Sequence, residues 1–152
     1  MNNIWTRIND DVAMYMKSIC EKYKLVCIKI SPLKTALVGE GFALIITIDR
    51  FDATVSYLHN DSELQVYLCD NYFAEKYDAN DRINLLNGEG ADIIVRNNII
   101  VISNGLTSKW ENVLRGETGW IENYKKSKWF STEKLSPKEI QEIEHYMKER
   151  KK

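Results

Sequence analysis

Two histidines and three cysteines are the side chains of this sequence best suited to nucleophilic or metal chemistry. His59 is predicted at the tip of a hairpin and His145 on a terminal helix, and neither belongs to a motif that supplies a catalytic partner. Cys20, Cys27 and Cys69 form no CxxC pair, and each lies in an apolar stretch, which predicts reduced core residues. Zinc sites use closely spaced Cys and His ligands. We therefore expect no catalytic residue, no metal and no cofactor.

Carboxylates are the remaining groups that could perform acid–base chemistry. The sequence lacks the GxxxxGK[ST], GxSxG and HExxH motifs and a strand-linked GxGxxG. The GEG triplets at 39–41 and 88–90 are too short to cradle a phosphate, and they predict turns or a bulge. The protein is expected not to be an enzyme. The alternative is a small hydrolase or transferase that uses carboxylates only, for example Glu40 with Asp49.

An acidic stretch that also carries tyrosines is the feature best suited to binding another protein. Residues 60–106 hold 3 basic and 8 acidic side chains, a net −5 in a chain whose total is −1. Carboxylates steer cationic partners, and tyrosines supply contact area at binding hot spots. The competing interpretation is a solvated edge whose aromatic residues belong to the core. The predicted partner-binding residues are Asp61, Glu63, Asp70, Tyr72, Glu75, Tyr77, Asp78 and Asp81.

The overall charge and hydropathy favour a protein partner over other kinds of ligand. A pI near 6.2 lacks the basic footprint of nucleic-acid binders, although the lysine-rich stretch 125–138 keeps a nucleic-acid-binding regulator open as an alternative. No apolar run is long enough to span a bilayer, and the N-terminus does not resemble a signal peptide. A cytoplasmic protein that binds no nucleic acid, membrane or small-molecule substrate is expected.

The elements that must position these residues predict one α+β domain over residues 1–152. Apolar residues spaced three and four apart predict a helix over roughly residues 3–23. Four β-rich runs follow, joined by connections too short for parallel crossovers, so a four-stranded antiparallel meander is expected. The predicted strands are 25–30, 35–49 with a bulge or bend at its glycines, 52–60, and 62–69 after a turn at Asn60-Asp61.

The C-terminal half is predicted to be helical and packed on one face of the sheet. Residues 92–103 have strong β propensity, and a hairpin turning at Asn97-Asn98 is possible. Apolar residues nevertheless share one helical stripe over about five turns between 92 and 114, which favours a helix. Ser136, Pro137 and Glu139 have the pattern of a capping box at the start of the terminal helix.

The order of these elements resembles small bacterial immunity proteins of the contact-dependent inhibition and polymorphic toxin type. The segments GFALIITIDR, VSYLHND and KWENVLRGETGWIENYKKS carry the resemblance. It implies an inhibitor that neutralises a cognate toxin in bacterial competition by occluding the toxin's active site. Many such toxins are nucleases whose surfaces are basic because they bind phosphates. The acidic middle of this chain would then present the toxin with a decoy of the phosphate backbone.

Overall fold

The structure, a computed structural model, describes residues 3–59 and 65–150 and contains one antiparallel sheet with helices. The strands are β1 (Val26–Ser31), β2 (Lys34–Val38), β3 (Phe42–Asp49), β4 (Asp52–His59), β5 (Gln65–Tyr67) and β6 (Thr132–Lys134). The helices are α1 (Ile4–Asp10), α2 (Val12–Tyr15), α3 (Lys17–Tyr23), α4 (Asp70–Ala74), α5 (Ala91–Lys109), α6 (Glu111–Leu114), α7 (Ile121–Lys125) and α8 (Pro137–Arg150), with a 3₁₀ turn at Ala79–Asp81. The predicted α+β class is confirmed.

Among the described residues, the sheet has six strands in the order β1 to β6, so the prediction of four strands is wrong. The run at 35–49 is two strands, because the chain reverses at 39–41, where Gly41 has a φ of 80°. The Phe42 ring packs so close to Gly39 that a Cβ there would lie 2.4 Å from a ring carbon, which requires glycine. The three residues of β6 are all exposed. Their sequence therefore carries no hydrophobic alternation by which a strand is predicted.

Helices cover both faces of the sheet, and the prediction of packing on one face is wrong for α8. The larger core cluster lies under the first seven helices and includes Leu44 and Tyr57. A second cluster forms on the opposite face, where Ile143 and Met147 of α8 pack against strand residues such as Ile45. β3 is buried on both faces because its apolar residues are continuous rather than alternating.

The N-terminal helix predicted over residues 3–23 is three short helices instead. At the first break the Asp11 N–H is shared between the carbonyls of Arg7 and Ile8, which is the tightened geometry of a helix end. The second break lies at Met16, whose ψ of 7° departs from helical values. Four residues of the predicted apolar stripe are nevertheless buried, namely Ile8, Val12, Met16 and Ile19, whereas Ile4 at its start is 39% exposed.

The ambiguous stretch at 92–103 lies within α5, so the predicted helix is confirmed and the hairpin alternative is wrong. Val95, Ile99, Ile102 and Leu106 of its stripe are buried in the larger core cluster. Within residues 3–59 and 65–150, no helix is both long and apolar enough to cross a membrane.

Candidate binding cleft at the acidic segment

The predicted partner-binding residues fall into groups with different environments. Asp61 and Glu63 lie outside the described residues, as does the turn predicted at Asn60-Asp61. The other six residues lie on α4, on the 3₁₀ turn or between them. Their burial separates those that stabilise the fold from those that are open to a partner.

Tyr72 packs against the aromatic residues of the larger core cluster. Its ring centroid lies 5.3 Å from that of Tyr124 and 5.5 Å from that of Trp110. Phe73, the next residue, is fully buried and packs 4.7 Å from Trp110, while the Trp110 indole N–H donates to the Phe73 carbonyl at 3.0 Å. These contacts fix α4 against the helices that follow α5.

Asp81 is buried at 1% exposure, and its charge is balanced inside the protein. Its carboxylate accepts hydrogen bonds from Lys109 Nζ at 3.1 Å, from the Asp78 N–H at 2.9 Å and from Ser108 Oγ. Burial by itself would raise the pKa of Asp81. The hydrogen bonds from Ser108, the Asp78 N–H and Lys109 outweigh that effect and hold the pKa below its ordinary value.

Asp78 and Glu75 are both exposed, and they differ in their partners. The Asp78 carboxylate lies 3.2 Å from Lys109 Nζ, the same ammonium group that pairs with Asp81. It also caps the 3₁₀ turn by accepting the Asn80 N–H at 2.9 Å. Glu75 makes no ion pair with any residue that the structure describes. A cationic partner would therefore meet Glu75 without having to displace Lys109.

Asp70 begins α4, and its carboxylate is largely buried against β4. It accepts the Val55 N–H at 2.9 Å, a bond that joins the helix start to the strand. Burial raises the pKa of Asp70 to about 6, because the hydrogen bond from Val55 lowers it less and the nearby charge of Asp52 raises it further. This carboxyl group is therefore close to half ionised near pH 6.

Asp70, Tyr77 and Asp78 meet at one cleft of about 400 Å³ between β4, α4 and α5. The cleft is also lined by residues that the sequence did not single out, of which Asp52, Arg82 and Asn98 are polar and Ala53, Ala74, Val101 and Ile102 are apolar. No sequence motif joins these three polar residues, because they come from three separate segments of the chain. Asp52 and Asp70 also border a second cleft of about 350 Å³.

Some of the polar side chains that line the cleft have hydrogen-bond partners, and the Tyr77 hydroxyl has none among the described residues. Asn98 Nδ2 donates to Asp52 Oδ1 at 2.9 Å, so β4 and α5 are joined at the rim. The Tyr77 hydroxyl is buried and has no hydrogen-bond partner among the described residues. Burial raises the pKa of Tyr77, and the charge of Asp70 raises it further, so the hydroxyl keeps its proton and can donate it.

The other titratable candidates do not form a site together. Glu40 lies in the β2–β3 turn and Asp49 at the far end of β3, an eight-residue strand that spans roughly 25 Å at the usual rise. This pair cannot act as a carboxylate dyad. His145 is exposed on α8, and the ring of His59 stacks on Tyr57 at 6.2 Å. In the part of the chain that the structure describes, no three His, Cys, Asp or Glu side chains are grouped to hold a metal.

No protein-family model, curated protein or solved structure matches this chain.

Proposed function

We propose that this protein is a stoichiometric inhibitor of the bacterial immunity type, which binds a cationic surface of a toxin and covers the toxin's active site. The observation that carries the proposal is the meeting of Asp52, Asp70 and Asp78 around one cleft. A volume of about 400 Å³ lies within the range of roughly 300–1,000 Å³ usual for pockets that accept a ligand group. The proposed occupant is an arginine or lysine side chain of the toxin.

The chemistry of the cleft suits a long cationic side chain. Its apolar lining includes Ala53, Val101 and Ile102, against which the methylene stem of an arginine or lysine can pack. Asp70 and Asp52 then accept hydrogen bonds from the charged head, and charge-assisted hydrogen bonds of this kind are roughly twice as strong as neutral ones. The cation also offsets the burial of Asp70 and favours its ionised form.

The rigid setting of these carboxylates favours tight binding. Asp70 is joined to β4 through the Val55 N–H, and Asp52 is joined to α5 through Asn98. Side chains that are already ordered lose little conformational entropy when a partner binds. The exposed Glu75 beside the cleft adds long-range attraction for a cationic partner.

The test begins with a pull-down from the native host and identification of the captured toxin. The purified toxin domain is then titrated with this protein by calorimetry, and its activity is measured at each ratio. We expect a 1:1 complex and loss of toxin activity at equivalence. The variant D52N/D70N/D78N should weaken binding at least tenfold, while the matched variant E117Q/E122Q/E142Q, which removes three exposed charges elsewhere, should bind as the parent does. Equal binding by both variants would place the interface elsewhere.

A second candidate function is a hydrolase that uses Asp70 and Asp52. The raised pKa of Asp70 favours it, because a general acid is most effective when its pKa lies near the working pH. Turnover of ester, phosphate or glycoside substrates that D70N abolishes while the fold is retained would establish this function and contradict the inhibitor. We expect no turnover above background.

A further inference from the structure

Two exposed apolar side chains lie beside the hydrogen bond that joins β4 to α5 at the rim of the acidic cleft. Phe51, in the turn before β4, is 69% exposed and immediately precedes Asp52. Asn98 Nδ2 donates to Asp52 Oδ1 at 2.9 Å. Ile94 is exposed and lies one helical turn before Asn98 on the same side of α5. Both elements that this bond joins therefore present an apolar group to solvent next to the cleft.

The segment 82–90, between the 3₁₀ turn and α5, supplies two more exposed apolar side chains. It runs along α5, where two asparagines two helical turns apart hold its backbone. Asn97 Oδ1 accepts the Leu86 N–H at 2.8 Å, and Asn97 Nδ2 donates to the Leu86 carbonyl at 3.2 Å. Asn104 Nδ2 donates to the Ile83 carbonyl at 3.1 Å. Because these bonds are to main-chain atoms, they fix the segment while the side chains of Ile83 and Leu86 stay exposed.

We call these four side chains, Phe51, Ile83, Leu86 and Ile94, the apolar margin of the cleft. Nine large apolar side chains are exposed in the part of the chain that the structure describes, and four of them belong to this margin. The other five are distributed over α1, α2, the β1–β2 turn and the residues that follow β5 and α7. Apolar residues scattered singly are normal at a protein surface, whereas a group beside a polar cleft is typical of an interaction site.

The apolar margin can supply affinity that the carboxylates of the cleft do not. Charged groups mainly steer and orient a partner, and the burial of apolar surface adds free energy of binding. Apolar contacts around a central group also exclude water from it. Since the backbone of Ile83 and Leu86 is already fixed by the asparagines, covering these side chains costs little additional conformational entropy.

We infer that the acidic cleft and its apolar margin together bind one protein surface, in which a basic side chain is flanked by apolar side chains. The cleft is lined by three carboxylates and one guanidinium group, so charge complementarity selects the basic side chain. The apolar neighbours of that side chain cover the margin. A surface that is equally basic but has polar neighbours would leave the margin in water and bind less tightly.

This specification of the partner rests on the proposed function, because the basic side chain is the one proposed to enter the cleft. Three capped tripeptides separate the contribution of charge from that of the margin. The first has arginine between two leucines, and the second has arginine between two glycines. The third has citrulline, the uncharged counterpart of arginine, between two leucines.

Each peptide is titrated into the isotope-labelled whole protein, and amide chemical shifts report both the affinity and the place of binding. We expect the leucine-flanked arginine peptide to bind about tenfold more tightly than either of the other two, because it alone combines apolar burial with charge-assisted hydrogen bonds. It should shift the amide signals of Ala53 and Val101, which line the cleft, and those of Ile83 and Leu86 in the margin.

Variants of the margin test the same assignment from the side of the protein. I83S/L86S keeps the main-chain bonds to the asparagines, and F51S changes a separate element. Each should weaken the leucine-flanked arginine peptide severalfold and leave the glycine-flanked one unchanged. M14S/L33S, which removes two exposed apolar side chains on other elements, is the matched control and should bind all three peptides as the parent does. The amide spectrum without peptide shows that each variant keeps the fold.

The peptides give different results if the margin or the cleft is wrongly assigned. Equal affinity of the two arginine peptides, with shifts confined to the cleft, would overturn the role of the margin and leave the proposed function standing. Equal affinity of the citrulline and arginine peptides that carry leucine would contradict the basic side chain, and with it the proposed function. If none of the peptides shifts the signals of Ile83 and Leu86 at millimolar concentration, the margin is not a binding surface.

Discussion

At the residue scale, Asp70 differs from a surface carboxylate because its side chain is largely buried. The burial that raises its pKa to about 6 disfavours its charged form in the folded protein. As the pH rises from the unfolded-state pKa of 3.8 to the folded-state pKa of about 6, the free energy of unfolding therefore falls. The reason is that the folded state has to release a proton that it binds more tightly than the unfolded state does. A cation bound in the cleft would reverse this loss.

The stability of the D70N variant tests this environment. Asparagine can still accept the Val55 N–H but carries no charge, so D70N should become more stable than the parent as the pH rises from 4 to 7. A shift of about two pKa units corresponds to an increase in this difference of roughly 2–3 kcal/mol. The measurement is urea unfolding of both proteins across that pH range. D49N, at an exposed position, is the control and should show no such trend. A constant difference between D70N and parent would mean that Asp70 is not desolvated.

The residues of the candidate cleft could be predicted only in part. Asp70 and Asp78 were accessible to sequence reasoning because they lie in one acidic stretch, but charge density alone did not distinguish them from the buried Asp81. The distinction depends on Lys109, which lies far along the chain and pairs with Asp78 and Asp81 together. Asp52 and Asn98 were not predicted at all, since tertiary packing rather than sequence spacing brings them together.

At the element scale, sequence reasoning succeeded where a single strong signal determines an element. The capping box of α8 is present as predicted, with Glu139 N–H donating to Ser136 Oγ at 3.2 Å and Ser136 N–H to Glu139 Oε1 at 3.1 Å. The apolar stripe correctly predicted a helix at α5, despite the β propensity of residues 92–103, because it is sustained over about five turns. Sequence reasoning failed at β6, whose pairing with β5 is determined by the position of the sheet edge rather than by its own residues.

Gly105 shows how α5 and the acidic segment fit together. It is buried, and a Cβ added there would lie 2.2 Å from a carbon of the Tyr77 ring, so the ring occupies the space that a side chain would need. We expect G105A to lose about 1–3 kcal/mol of stability through overpacking. This loss opposes the gain of about 1 kcal/mol that alanine normally brings to a helix interior.

Thermal or urea unfolding measures the effect of G105A, and G119A is the matched control. A Cβ at Gly119 meets nothing within 4 Å, and its φ is not in the left-handed region, so that substitution should be close to neutral. If G105A instead gains the full increment of about 1 kcal/mol over the parent, the Tyr77 ring is not held against α5, and the shape of the cleft differs from the one described.

At the scale of the whole molecule, the two faces of the sheet are covered by different helices. The larger core cluster, α4, α5 and the acidic cleft lie on one side, and α8 covers the other. The prediction of helices on one face did not anticipate that α8 covers the other, because the continuous apolar run of β3 does not reveal which helix covers each face. The two sides nevertheless give a direct way to test which surface meets a partner.

Burial of Ile143 against the second face is expected to be essential to the stability of the sheet. Ile143 is fully buried in the smaller core cluster beside Ile45 and Met147. Truncation to alanine should cost about 2–4 kcal/mol, because it removes buried methyl groups and leaves a cavity. Chemical unfolding of I143A gives the value, and exposed Gln141 on the same helix, changed to alanine, should alter stability by less than about 0.5 kcal/mol.

The rate of association with a cationic partner distinguishes the two sides of the molecule. Glu75 is exposed beside the cleft, and E75K changes the local charge by two units without disturbing the ion pairs of Lys109 with Asp78 and Asp81. On the proposed function, E75K should slow association severalfold at low ionic strength and flatten its dependence on salt, because long-range attraction acts mainly on the encounter rate. E142K makes the same charge change on α8, across the sheet from the cleft, and should leave most of the rate intact. Stopped-flow mixing with the identified toxin domain at several salt concentrations gives both rates. If E142K slows association more than E75K, the partner binds the α8 side and the cleft is not its docking site.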